Sequence, residues 1–195
     1  MNELVIYGVL NATIPKERDV LSLLHSTSIT THCIYQLAKK YLSGHGATHE
    51  DAMFIYNTTQ AYFITDIIYL ARDILKGENR SDFLFHHAVA LFLGYKARHQ
   101  HNSGEMSHVI SAVVESSTIF LSLAKIDGYT QYRKQLEIAF AVTFAIARFP
   151  IWLTYLWKNR DVVQTYDKST QATMVLLSLL STYWMYVIIR RAMRA

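Results

Sequence analysis

The charges of this 195-residue chain are gathered into short clusters. Between them lie apolar stretches, Ala52–Ala71, Met106–Ala124, Gln135–Trp157 and Thr170–Ile189, each close to the ~20 residues that cross a hydrocarbon core. In lipid every backbone polar group must be satisfied within the protein, so such stretches become helices. Two less apolar segments join the set. Val20–Leu42 contains the hydroxyl-rich run LLHSTSITTHC, and Asp82–Tyr95 is short for a simple crossing, which implies tilt or local thinning of the bilayer. The expected fold is all-α, a polytopic transmembrane helical bundle of about six spans. The mean hydropathy of +0.12 is low for that class because polar residues are scattered inside the apolar runs as well as in the loops. Those residues must face protein or water.

The segments outside the spans set the organisation. Residues 1–19 form an interfacial lead-in that stops at Ile14-Pro15 and Lys16-Glu17-Arg18-Asp19, and residues 20–195 form the transmembrane domain. The first residues lack a basic region ahead of their apolar run, unlike a cleaved signal peptide. The sequons at Asn11 and Asn57 are discounted, the second because it falls inside a span. Asp127-Gly128 marks a turn, and Pro150 is expected to kink the fifth span just after Arg148. Six spans put both termini on one side, where eleven Lys and Arg stand against seven on the other, so both termini are expected in the cytosol. A net charge of +4 dispersed through short loops offers no basic face to nucleic acid. Cys33 is the only cysteine, which excludes an intrachain disulfide and a cysteine metal site.

Within the spans, polar residues recur at helical spacing. His25, Ser28 and His32 share a face of the first, with Leu23, Ile34 and Leu37 left for lipid or neighbouring helices; Thr58, Tyr62, Thr65, Asp66 and Tyr69 form a stripe on the second. His108, Ser111, Glu115, Thr118 and Ser122 do so on the fourth, and the fifth carries Glu137 and Arg148 on roughly one side. The third holds adjacent histidines, His86 and His87, in the run DFLFHHAVALFLGY. Buried imidazoles are costly without partners, so this pair needs an explanation. If the stripes converge, His25, His32, Asp66, His86, His87, His108, Glu115 and Arg148 line one cavity. An imidazole beside Asp66 or Glu115 can act as general base or carry an acyl group, the carboxylate fixing its tautomer. Histidines and acids in helical bundles also serve as interhelical hydrogen-bond glue. His86, His87, His108 and Glu115 are permitted metal ligands, but their spacing is no recognised ligand motif and no metal is expected. Trp152, Trp157 and Trp184 read as interfacial or packing aromatics.

Taken in order, Leu23-Leu24-His25-Ser26, Tyr62-Phe63-Ile64-Thr65-Asp66, His86-His87, Glu115-Ser116-Ser117 with Phe120, Arg148 with Pro150, and Tyr183-Trp184-Met185-Tyr186 before a basic end resemble the TLC-domain (TRAM/LAG/CLN-type) membrane proteins. The resemblance covers about residues 20–195. It implies a helical bundle around a central lipid-accessible cavity, in the endoplasmic reticulum or another endomembrane. The ceramide synthase branch extends the paired histidines with a further motif of a histidine, two aspartates and a glutamate. Here His108 and Glu115 fit that pattern, while Val109 and Ala112 stand at the aspartate positions. The chain is therefore similar to the members lacking that acid pair, whose roles in membrane lipid composition are less uniformly enzymatic.

Three functions fit these residues. The first is an acyl-CoA-dependent lipid acyltransferase, with His86 or His87 activating or carrying the acyl group and Asp66 and Glu115 orienting it. Arg148, with His108 and His25, would hold the lipid or its headgroup. Acyl-CoA is then a co-substrate, and no bound cofactor is expected. The second is a non-catalytic lipid binder, trafficking protein or membrane-composition regulator using the same cavity. The third is a proton-coupled transporter. Membrane lipids are the expected partners, and a homo-oligomer is compatible with the sequence.

Overall fold

The computed structural model describes residues 17–98 and 104–193. The expected lead-in up to residue 16, and part of the polar 97–107 loop, lie outside the described residues. The described chain is helical: α1 (Glu17–Ser43), α2 (His49–Leu75), α3 (Ser81–Arg98), α4 (Gly104–Leu123), a 3-10 turn (Asp127–Tyr132), α5 (Arg133–Ile146), a π turn (Ala147–Ile151), α6 (Trp152–Lys158), α7 (Arg160–Thr165) and α8 (Lys168–Ala192). The first helix starts three residues before the expected span, so Arg18 and Asp19 belong to it and not to a lead-in.

Helix ends follow local chemistry. Gly44, at φ 71°, takes the left-handed conformation that closes α1, its N–H donating to the Lys40 carbonyl. Thr48 then caps α2 through a reciprocal pair with Asp51, while Gln36 Nε2 donates to Asp51 Oδ1 at 2.7 Å and ties the end of α1 to the start of α2. Partial burial alone would raise the Asp51 carboxyl, but the Thr48 N–H and hydroxyl hold it below its ordinary value. Asp167 caps α8, accepting from the N–H groups of Ser169 and Thr170.

At Pro150 the irregularity takes the form of a π turn. The proline has no N–H to return to the preceding turn, and the helix widens over Ala147–Ile151 before resuming. Arg148 sits in that turn and is buried.

Among the described residues the long helices close into a ring. α1 packs on α4 and α2, α2 on α3, α3 on α8, α8 on α5, and α5 on α4, with α4 also touching α2 and the π turn. The ring is polar within and apolar without. His25, Gln36, Asp66, His86, His87, His108, Glu115 and Arg148 are buried, whereas Ile34, Ile64, Ile68, Phe85, Ile138, Val142, Val175, Leu179 and Ile189 are exposed. A water-soluble fold would invert that pattern. Two helical stretches, Asp127–Lys158 and Lys168–Ala192, are by themselves long and apolar enough to cross a membrane. Little of the apolar part of either is buried, unlike the core helix of a soluble protein; His108–Leu123 is apolar but shorter. The molecule is a helical membrane bundle.

The stripes on α2 and α4 turn inward as their spacing implies, but α1 is rotated from the expected face. Its buried side is Leu21, His25, Ser26, Ile29, Thr30, Cys33 and Gln36, and Ser28 is exposed. Ile29 and Cys33 pack with Ile55 of α2 and Ala112 of α4, and this apolar contact, more than the hydroxyls, sets the rotation.

Candidate functional site

The inward side chains surround two cavities. The larger, termed outer, about 400 Å³, lies at the end where α1 and α3 begin and α2, α4 and α8 finish; the smaller, termed inner, about 120 Å³, lies toward the opposite ends of the same helices. Arg18, Asp19, Arg80, Asp82, Lys125 and Arg191 put charge around the outer one. Ile55, Leu93, Ile110, Trp152, Met174 and Leu177 make the inner one apolar. Phe63, His86, Val114, Glu115 and Arg148 line both, so the polar and apolar spaces meet at a histidine, a carboxylate and a guanidinium.

Consecutive residues on α3 point about 100° apart, and the histidines diverge accordingly. Their ring centroids are 5.4 Å apart at 85°. His87 turns to α2, edge-on to Phe63 at 4.7 Å, with Nε2 3.5 Å from Asp66 Oδ2. His86 turns to α8, where its ring meets Trp184 edge-on at 4.9 Å. Both reach the outer cavity, and only His86 also reaches the inner. Nδ1 of each is buried and has no hydrogen-bond partner among the described residues.

Asp66 is held chiefly by a residue the periodicity reading passed over. Arg18 Nε donates to Oδ1 at 2.6 Å and Nη2 to Oδ2 at 3.2 Å, a bidentate clamp on a carboxylate that is 1% exposed. Arg18 stands seven residues before His25 on the same face of α1; that interval could have revealed it, but the charged flank around it reads as solvent-facing. Glu115 has an oxygen 3.8 Å from His25 Nε2. His25 itself stands behind the wall, stacked on Tyr62 at 4.1 Å.

Arg148 donates through Nη1 to Ser181 Oγ at 3.1 Å and weakly through Nη2 to the Val114 carbonyl at 3.4 Å, with the Phe144 ring 5.0 Å from its centre. No carboxylate lies within 4 Å of it among the described residues. Glu137, expected on the same side, pairs with Arg133 at 3.2 Å and Arg191 at 3.9 Å. His108 is fully buried but lines neither cavity; it stacks on His32 at 5.6 Å. Val109 and Ala112 pack in apolar contacts. Among the described residues no three His, Cys, Asp or Glu side chains converge as metal ligands would.

Sequence reasoning also left Trp184 and Ser181 as ordinary α8 residues. Trp184 donates to Asp82 Oδ2 at 3.2 Å and stacks on Phe83, which builds one wall of the outer cavity. Their roles come from partners about a hundred and about thirty positions away, which helical spacing does not encode.

Fold and site together define a class: a membrane-embedded helical bundle enclosing a cavity, polar at one end and apolar at the other. Residues 17–190 match the TLC domain, and the chain belongs to that family. No individual curated protein matches it.

Proposed function

We propose that this protein binds an amphiphilic lipid, its polar group in the outer cavity and part of its apolar chain against the inner one, and acts in membrane lipid metabolism or homeostasis. The observation that carries this reading is the shared lining of His86, Glu115 and Arg148, which sets an apolar pocket beside a charged one. An amphiphile satisfies both halves, and a water-soluble solute does not. The membership in the TLC-domain family supports it. The charged end is the one where α1 begins and α8 finishes, and the positive-inside bias of the sequence favours the cytosol for that side.

A second reading, acyl transfer, is favoured by the histidine pair. His86 or His87 would take the proton from an acceptor amine or hydroxyl as its oxygen or nitrogen attacks the carbonyl of an acyl-CoA. The new ester or amide bond forms, the carbon–sulfur bond breaks, and the proton passes to the departing thiolate. The geometry supplies one carboxylate–imidazole pair of the kind this reading needs, Asp66 at 3.5 Å from His87 Nε2, though Arg18 clamps the same carboxylate; Glu115 faces His25, and neither carboxylate is engaged with His86.

Mass spectrometry of the purified chain and its lipids, after incubation with oleoyl-CoA and amine and hydroxyl acceptors, separates the two. A retained lipid with no new acylated product is the result expected of a binder. An acylated product, lost in His86→Ala/His87→Ala, establishes the transferase instead. A chain that retains no lipid and transfers nothing contradicts both.

A further inference from the structure

The inner cavity, about 120 Å³, is comparable to the ~150 Å³ that holds a single benzene. Most of a membrane lipid's chain therefore lies elsewhere, and the walls of the outer cavity show where. Four of the six seams of the ring carry a polar tie beside that cavity. Arg18 and Asp66 join α1 to α2, and His87 and Asp66 join α3 to α2. The Ser122 hydroxyl donates to Ser22 Oγ at 3.0 Å between α4 and α1, and Trp184 donates to Asp82 between α8 and α3. α4 and α5 follow one another in the chain and pack extensively.

The seam between α5 and α8 differs. It is the thinnest contact of the ring. The two helices run antiparallel, and their polar ties are far apart: Arg191 with Glu137 at 3.9 Å near the charged end, and Arg148, in the π turn that ends α5, with Ser181 Oγ at 3.1 Å. Ser181 and Arg191 are ten residues apart on α8, about 15 Å along its axis. Between the ties, Phe140 and Phe144 of α5 and Val187 and Ile188 of α8 line the outer cavity. Val187 lines it and is also 41% exposed, so the wall there is one side chain thick. Beside it Ile138, Val142 and Tyr183 are exposed on the outer face of the bundle. An alkyl chain in this seam meets apolar side chains alone, whereas in the four tied seams it would displace polar bonds that are costly to leave unmade in hydrocarbon.

We propose that the alkyl chain of the bound lipid lies in the α5–α8 seam, and that this seam is the lateral path by which the lipid passes between the bilayer and the outer cavity. This rests on the lipid-binding reading above and adds the place of the chain and its route. The polar group stays among the charged walls, and the part of the chain that the inner cavity cannot hold reaches the surrounding hydrocarbon between Phe140 and Ile188.

Lipid exchange in the full chain tests it. Phe140→Cys/Ile188→Cys locks the seam by a disulfide, the two positions standing at matching levels of the antiparallel pair. Ala112→Cys locks α4 to α1 instead, through the native Cys33 beside it. Each chain, its disulfide confirmed by intact mass, is placed in nanodiscs of chain-deuterated phosphatidylcholine, phosphatidylethanolamine and phosphatidylglycerol, and native mass spectrometry follows replacement of the retained lipid. Replacement should slow by at least about tenfold in the oxidised seam variant, as motion of the seam becomes limiting, and recover on reduction. Oxidised Ala112→Cys should exchange at the wild-type rate. A seam variant that exchanges equally fast oxidised and reduced overturns the proposal and leaves the lipid cavity intact, as does equal slowing by the Ala112→Cys disulfide. A second measurement needs the wild type alone. The same three lipids carrying a mid-chain diazirine should label Phe144, which is 3% exposed and out of reach of lipid outside the bundle. Labelling confined to outward residues overturns the proposal. A wild type that neither retains nor exchanges any lipid overturns the binding reading as well.

Discussion

Replacing Arg18 by Ala leaves the Asp66 carboxylate buried without its guanidinium. Truncating one partner of a buried pair costs about 3 kcal/mol or more, and the lower end applies because Arg18 is 21% exposed. We therefore expect Arg18→Ala to lower the thermal midpoint clearly in detergent, and Arg18→Ala/Asp66→Asn to recover part of the loss. A double variant no more stable than the single would show that the pair is not the source of the effect. The histidine pair, Asp66, Glu115 and Arg148 were visible in the sequence because ionisable groups stand out in apolar runs. Arg18 was not, since a guanidinium in a charged flank looks solvated until the helix is seen to continue through it. His25 and His108 were legible as buried polar groups, but whether a side chain lines a cavity or stands behind its wall depends on helix rotation. That rotation is set by contacts such as Ile29 with Ile55.

At the scale of elements, the caps give a pH prediction. The hydroxyls of Ser169 and Thr170 hold the Asp167 carboxyl well below the usual carboxylate range, with the Thr170 N–H and Lys96 adding to this. A depressed folded-state value means that the cap's contribution is fully present above the unfolded value of about 3.9 and is lost as the pH falls below it. Hydrogen-exchange protection at the start of α8, corrected for the intrinsic pH dependence of exchange, should therefore fall below about pH 4 in the wild type, and Asp167→Asn should flatten that dependence. An unchanged acid response in the variant would remove Asp167 from the account. Pro150 announced an irregularity, but a kink and a π turn have the same sequence signal; the turn is seen only once the backbone is traced. The short helix Arg160–Thr165 follows a break at Asn159 and has no apolar period of its own by which to be anticipated.

For the whole molecule, the alternation of apolar runs and charge clusters made the helical membrane bundle legible. The order in which the helices close the ring was not, because a helix period names an inward face without naming the neighbour. The ring predicts that the α1–α2 and α2–α3 connections lie on opposite sides of the membrane. Cysteines introduced at Gly46 and Glu78, with the buried Cys33 as background, should be labelled by an impermeant thiol reagent from opposite faces of sealed vesicles. Labelling of both from one face would contradict a crossing by α2. The most direct measurement is native mass spectrometry of the purified wild type beside Ala90→Trp, which fills the inner cavity from α3. The account predicts one lipid retained by the wild type and lost from the variant, with the thermal midpoint little changed. Retention of the same lipid in the same amount by Ala90→Trp would place it elsewhere and contradict the cavity as its site.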